Sequence, residues 1–538
     1  MTPFMRRSGL FGALAFTLLA GTASAEELTI ALSSEPTAVD PHYHDLSSNN
    51  ALTMHVFDAL LTTDAQQKVQ PNLATAWTNE GPTTWRFELR DDVVFSDGTP
   101  FTAEDVIFSY CRVLNNETAV SGSFDEAIKN MASIEAPDDH TLVFETNEPD
   151  PLLPIRLAQI AIISDEIAEH GEISFDPQSD CGVTGAWPTV NDFNDGTVAI
   201  GTGPYAIESY VKGSGIDLVR NERYFGEAPE WERVSFKPVP NAGPRLAGLL
   251  SGDYDVIENP AARDLSRIES SDDYEYVITP SSRVIYLQLD MRDDSPFVEA
   301  PDGSNPFQDV RVRRAMSMAI DREAIVERIM DDAAAPANQF LPAGMFGTIA
   351  DAPALEYDPD RARELLAEAG YPDGFSVTFH ATNDRYINDA QVAQAVAQFL
   401  TRIGIDTELD AMTRSIFFSR RSGREFSLSM GGWGSDTGEA SSFLRQWVPT
   451  TDDVAGLGGS NYGGWSDPEF DVVLREAIAT MDDAEREALL QQAGARVLEQ
   501  MPYIPLHYES TIWAFRSDLD YQGRADQYTL ATAITSDE

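Results

Sequence analysis

The chain has 538 residues, of which 42% are hydrophobic, and it carries a formal charge of −51. Such a length exceeds one ordinary core and predicts two or three domains, and the apolar content suffices for complete folding. The acidic excess repels nucleic acid and anionic lipid, which excludes both as partners, and it mildly favours cationic ligands.

Residues 1–25 read as a cleavable secretory signal: Arg6 and Arg7, an apolar run at 10–20, then Ala23-Ser24-Ala25. That run is too short to cross a bilayer, and no later stretch has the required apolar length. Cleavage removes Arg6 and Arg7, so the mature charge becomes −53 (−51 minus 2). No cysteine lies near the cleavage point, so a lipid anchor there is excluded, and the mature protein is expected to be soluble in a periplasm. Lysine occurs only at Lys68, Lys129, Lys212 and Lys237, and an acid-rich, lysine-poor surface suits a halophilic or marine source. Cys111 and Cys181 are the only cysteines. In an exported chain such a pair is most simply a disulfide closing one long loop.

Residues 27–33 alternate as a strand and enter a proline-bounded loop containing His42 and Tyr43. Helical spacing follows over 47–61, with Ser48 and Asn49 able to cap it. Tyr43 and His42 thus precede a helix start, where loops often meet ligands; the alternative is a packed tyrosine and a solvated histidine. Residues 84–90 read as a strand, and Asp97-Gly98 as a turn. Thr102 is positioned to cap a helix whose first turn carries Glu104 and Asp105. Short strands are expected at 141–146, 198–205, 218–220, 233–238, 255–258 and 274–278.

From Arg283 the texture changes to alternating helices and strands. Residues 310–330 predict two helices meeting at Asp321 as a cap, and 358–370 a helix with proline in its first turn and glycine at its stop. A strand at 375–380, a helix at 390–403 and a strand at 405–409 imply a parallel pair in an α/β lobe. Helices at 467–480 and 483–500 precede a strand-like return at 504–515. Between them, an apolar run at 426–430 leads into a glycine-rich stretch, 431–444, that holds Trp433 and Asp436. Glycine permits close backbone approach to a ligand, which the Trp face and Asp charge would hold. Equally, Trp433 reads as a core residue and Asp436 as a turn or cap residue.

The segments Ala74-x-x-Trp77, Val94-Phe-Ser-Asp-Gly-Thr-Pro-Phe-Thr-Ala-Glu-Asp-Val106, Gly201-Thr-Gly-Pro-Tyr205, Val310-Arg-Val-Arg-Arg-Ala-Met-Ser-Met-Ala-Ile-Asp-Arg322, Ala367-x-Ala-Gly-Tyr-Pro-Asp-Gly374 and Gly432-Trp-Gly-Ser-Asp436 share one order. In that order the chain resembles the solute-binding proteins of peptide, dipeptide and nickel importers of the ABC class. The resemblance implies an α/β, two-lobed periplasmic binding protein with an extra subdomain inserted in the first lobe and a hinge between lobes. Lobe I is placed at 26–285 plus 510–538, the subdomain at about 62–185 and lobe II at 286–509, so both cysteines fall in the subdomain or at its edge. The implied partners are a peptide or other small ligand, and the permease and ATPase subunits of an importer. The protein is expected to act as a monomer without a cofactor.

In dipeptide binders of this family, an aspartate in a Gly-Trp-x-x-Asp motif holds the ligand's amino group and an earlier arginine its carboxylate. Asp436 matches the first, and Arg385 stands 51 positions before it (436 minus 385). Trp433, Gly434, Thr437, Tyr386 and Tyr43 complete the expected ligand-binding set. Arg385 has an alternative as a surface arginine paired with Asp384 or Asp389. A second reading is a nickel or metal-chelate binder using His42, His44 and His55, since imidazole suits nickel. A third, a secreted hydrolase, lacks a G-x-S-x-G elbow, an H-E-x-x-H helix and a P-loop. Asp192-Phe-Asn-Asp-Gly196 is one residue short of a calcium loop.

Overall fold

The computed structural model describes residues 27–120, 124, 128–435, 437–452 and 454–536. The expected signal at 1–25 and the candidate Asp436 therefore lie outside the described residues. No helix among the described residues is long and apolar enough to cross a membrane.

Two long strands organise the chain. Tyr274–Leu289 and Tyr503–Arg516 run antiparallel, and their register shifts between Pro280 and Val284 and again between Ile285 and Tyr286. On the outer side of the slip, 513–515 pair with Val256–Glu258, which lies beside Glu27–Leu32. Arg233–Pro238, Gly215–Arg220 and Tyr205–Val211 follow in that direction. Beyond the slip, 283–289 pair with Leu428–Gly434, which adjoins the parallel pair Phe375–Thr382 and Ile405–Met412. The helix Asp389–Arg402 connects that parallel pair, as its strand–helix–strand pattern requires. A separate four-stranded sheet spans residues 74–146.

The apolar cores divide at the same place. One cluster draws on residues 28–256 and 513–534, while two others, centred on Ile285 and Tyr286, are built from 284–508. Burying the opposite faces of one continuous strand in different cores requires side-chain alternation, and 284–289 supply it, with Val284 and Tyr286 in one core and Ile285, Leu287 and Leu289 in the other. The C-terminal segment closes the first cluster: Trp231 Nε1 donates to the Ile534 carbonyl at 2.7 Å, and Ala531 N donates to His55 Nε2 at 2.9 Å.

Cys111 and Cys181 are joined by a disulfide across 70 positions. Next to it Arg112, fully buried on the helix Ala103–Asn115, forks onto Asp40 at 2.8 and 2.7 Å and reaches the Pro188 carbonyl at 3.0 Å. The helix starts as its sequence predicts, with Thr102 and Asp105 exchanging cap hydrogen bonds.

Some local expectations differ from the structure. The helix expected over 47–61 is Ser47–Val56, and Ser48 and Asn49 lie inside it rather than capping it; Asn49 Oδ1 instead accepts from Thr37 N at 3.1 Å. The strand expected from 198 begins at Tyr205. A Cβ at Gly201 would lie 2.0 Å from the Val56 carbonyl oxygen, so this glycine stretch is spent on backbone packing instead of a ladder. The strand beginning at Leu428 runs on through the glycines to Gly434, beyond the expected loop entry.

Four histidines are buried, and three of them are held at a pKa of about 4: His42 by burial and then the Arg112 charge, His55 and His507 by burial. Unfolded histidine takes its proton near pH 6.5, so between that value and about 4 the unfolded chain binds more protons. These three groups therefore withdraw stability as pH falls through that window. Their ring signals in a two-dimensional NMR titration are expected to stay those of neutral imidazole from pH 7 down to 5.

Candidate functional site

The site grows from an acid at a helix start. Asp389, the first residue of Asp389–Arg402, accepts through Oδ2 from Thr382 Oγ1 at 2.7 Å, Arg385 N at 2.9 Å and Tyr386 N at 3.2 Å. These bonds fold 383–388 into a compact turn with Asn388 left-handed (φ 54°). Asp384 is spent on Arg414 N at 2.6 Å. Neither acid therefore ion-pairs with the Arg385 guanidinium, which lies 5.2 Å from the centre of the Tyr386 ring and has no hydrogen-bond acceptor among the described residues.

Tyr386 is buried and its hydroxyl donates to the Gly432 carbonyl at 3.3 Å. A Cβ at Gly432 would come 2.5 Å from that ring, so the glycine is needed for the approach. Gly434, two residues on and so on the same face, pairs with Arg283; a Cβ there would stand 3.3 Å from the Arg283 Cζ. Trp433 points to the opposite face, where its ring centre is 5.3 Å from that of Phe443. The structure thus brings Arg385, Tyr386 and Gly434 to one side of the strand and sets Trp433 on the other.

Arg283 falls in the gap between the two paired stretches of the long strands while keeping its pairing with Gly434 on the other side. Its Nε lies 3.5 Å from Glu509 Oε2 and donates to Gln527 Oε1 at 3.3 Å. Glu509 Oε1 accepts from Ile387 N at 3.0 Å, so one carboxylate ties both arginine-bearing segments together. Burial holds Glu509 above the usual carboxylate range, with Arg283 acting against it. Arg385 is exposed by surface area, yet protein atoms crowd it: burial and then the Arg283 charge pull its pKa below the usual arginine range.

Ser435 ends the strand with its carbonyl accepting from Ser282 Oγ at 3.1 Å and from Gln67 Nε2 at 2.7 Å. Gln67 comes from the turn between Leu61–Thr63 and Val69–Pro71, far away in the chain, and its Cβ would meet a Cβ at Gly438 at 3.0 Å. Its Oε1 is buried without a partner among the described residues. Thr437 Oγ1 shares a hydrogen bond of 2.7 Å with Ser442 Oγ. Tyr43 is half-buried, its ring 6.2 Å from that of His44, and it makes no contact with the Arg385 group among the described residues. His42 is buried, against the solvated alternative, with Nε2 2.8 Å from the Ala161 carbonyl and Nδ1 3.1 Å from Arg112. His55 Nδ1 lies 2.7 Å from the Ala51 carbonyl. Two of the three rings of the chelate reading, those of His42 and His55, are therefore already engaged by protein groups.

A cavity of about 600 Å³ opens beside Gln67, lined by Asp45, Asn50, Met54 and Tyr528 among others; Arg283, Arg385 and Trp433 do not line it. Arg283, Glu509, Gln67 and Gln527 are members of the site that sequence reasoning missed. The available signal was a charge in a run expected to be buried: Arg283 opens one strand-like segment and Glu509 lies inside another.

This mixed sheet, shared between two core systems along its two long antiparallel strands, is the architecture of two-lobed periplasmic binding proteins. The structure of HbpA2 from Haemophilus parasuis superposes with a TM-score of 0.78 at 24% identity, covering 95% of this chain and 100% of that one. The chain belongs to the bacterial extracellular solute-binding proteins, family 5, whose middle-region model matches residues 68–454. It is 27% identical to heme-binding protein A of Haemophilus influenzae, over 86% of this chain and 83% of that protein. It is 26% identical to the dipeptide-binding protein of Escherichia coli, over 84% of this chain and 83% of that protein.

Proposed function

We propose that this protein captures a short peptide, or another small solute bearing an amine, between two lobes in the periplasm and delivers it to the permease of an ABC importer. Lobe I comprises 26–285 and 510–538 with its subdomain at about 62–185, and lobe II comprises 286–509. The observation that carries the reading is the Arg385 guanidinium, which has no acceptor among the described residues and lies beside a glycine-lined strand end where the two core systems meet. A planar fork in that position suits a carboxylate. Asp436 follows Ser435, whose carbonyl is fixed from two sides, and it supplies the charge for the ligand's ammonium group. The likeness to the dipeptide-binding protein of Escherichia coli supports the choice of ligand class. Hinge closure about the two long strands buries the ligand, and the closed form is what the permease reads.

Calorimetric titration of the mature protein with di- and tripeptides tests this directly. Removing one member of a buried charged contact costs about 2–5 kcal/mol, which is tens- to thousands-fold in affinity. Asp436→Ala and Arg385→Ala are each expected to lose that much. Undiminished peptide affinity in either variant refutes the role given to that residue.

A further inference from the structure

We infer that Arg283 is a second guanidinium for the anionic end of the ligand, and that Glu509 is the positioning residue that aims it. This rests on the peptide-binding reading above and extends it to the way the acid end is held.

Arg283 Nε is occupied by Glu509 and Gln527, while its two Nη groups have no hydrogen-bond acceptor among the described residues. The guanidinium lies against Gly434, where a Cβ would stand 3.3 Å from the Arg283 Cζ. Arg385 stands close enough for the two positive charges to disfavour each other. The Arg385 guanidinium and the two Arg283 Nη groups, without an acceptor among the described residues, are left as donors for an anion, and a ligand carboxylate between them relieves the repulsion. Glu509 makes that geometry durable. One of its oxygens faces Arg283 and the other accepts from Ile387 N, two residues after Arg385, so the carboxylate sets the spacing of the two arginines. The ligand class that fits is a solute with a free carboxylate, and the α-carboxylate of a peptide is the member consistent with the amine site at Asp436.

The test is a library of dipeptides, each offered as the free acid and as the C-terminal amide, titrated into wild type and variants by calorimetry. Wild type is expected to prefer the acids. Arg283→Met is expected to shrink the acid-over-amide ratio at least tenfold, with Arg283→Lys and Glu509→Gln each lying between that and wild type. Arg283→Lys keeps the charge, so it remains informative if the methionine variant does not fold. An unchanged ratio in the folded Arg283 variants overturns this inference and leaves the peptide reading standing. Absence of peptide binding by wild type overturns both.

Discussion

Replacing Arg112 with methionine is expected to destabilise the protein by about 3–5 kcal/mol, because the change strands a buried charge. Arg112 is fully buried on Ala103–Asn115, and it holds Asp40 with a two-pronged hydrogen bond while its guanidinium lies 4.5 Å from the centre of the Phe193 ring. Asp40 is 2% exposed, and its other recorded bond is from the His42 backbone N–H at 2.9 Å. Without the guanidinium, the carboxylate must stay charged in an apolar setting or take a proton, and each route costs stability. The comparison that isolates the cause is the double variant Arg112→Met with Asp40→Leu. Apolar replacement of a whole buried pair is often neutral or better, so the double variant is expected to recover most of the loss in urea unfolding. Equal destabilisation of single and double variants would place the effect in packing rather than charge.

Reduction of the Cys111–Cys181 bond, or its replacement by alanines, is expected to cost roughly 4 kcal/mol on the loop-entropy estimate for a closure of this length. The bond fastens the helix Ala103–Asn115 to a loop that reaches Cys181 in a left-handed conformation (φ 50°). Paired urea transitions with and without reductant measure the effect, and a shift below about 1 kcal/mol would contradict the entropic account. Because Cys111 and Arg112 are chain neighbours, the two losses are expected not to add, and combining the substitutions in a double-mutant cycle measures their coupling.

Much of the architecture was legible because its signals are local. Asp321 separates Val310–Ala319 from Arg322–Arg328 by accepting from Ala324 N at 2.9 Å, as a cap residue between two periodic stretches predicts. Asp358 and Pro359 likewise open Pro359–Glu368. What could not be read depends on contacts between distant segments. The glycines at 201 and 203 resemble the tail of a strand until the Val56 carbonyl is placed against them. Arg283 and Glu509 meet across strands whose register slips between them, and no spacing rule anticipates that slip. Trp433 was visible as a bulky residue among glycines. Only the alternation of a strand continuing to Gly434 reveals that it faces Phe443, away from Arg385.

The C-terminal segment also sets the timetable of synthesis. Strand Val256–Glu258 pairs with 513–515, His55 receives the N–H of Ala531, and Trp231 waits for the carbonyl of Ile534. The earliest-made half of the molecule therefore lacks part of its own core until nearly the last residue has left the ribosome. A nascent chain in that condition keeps that part of its core open until the C-terminal segment arrives to cover it.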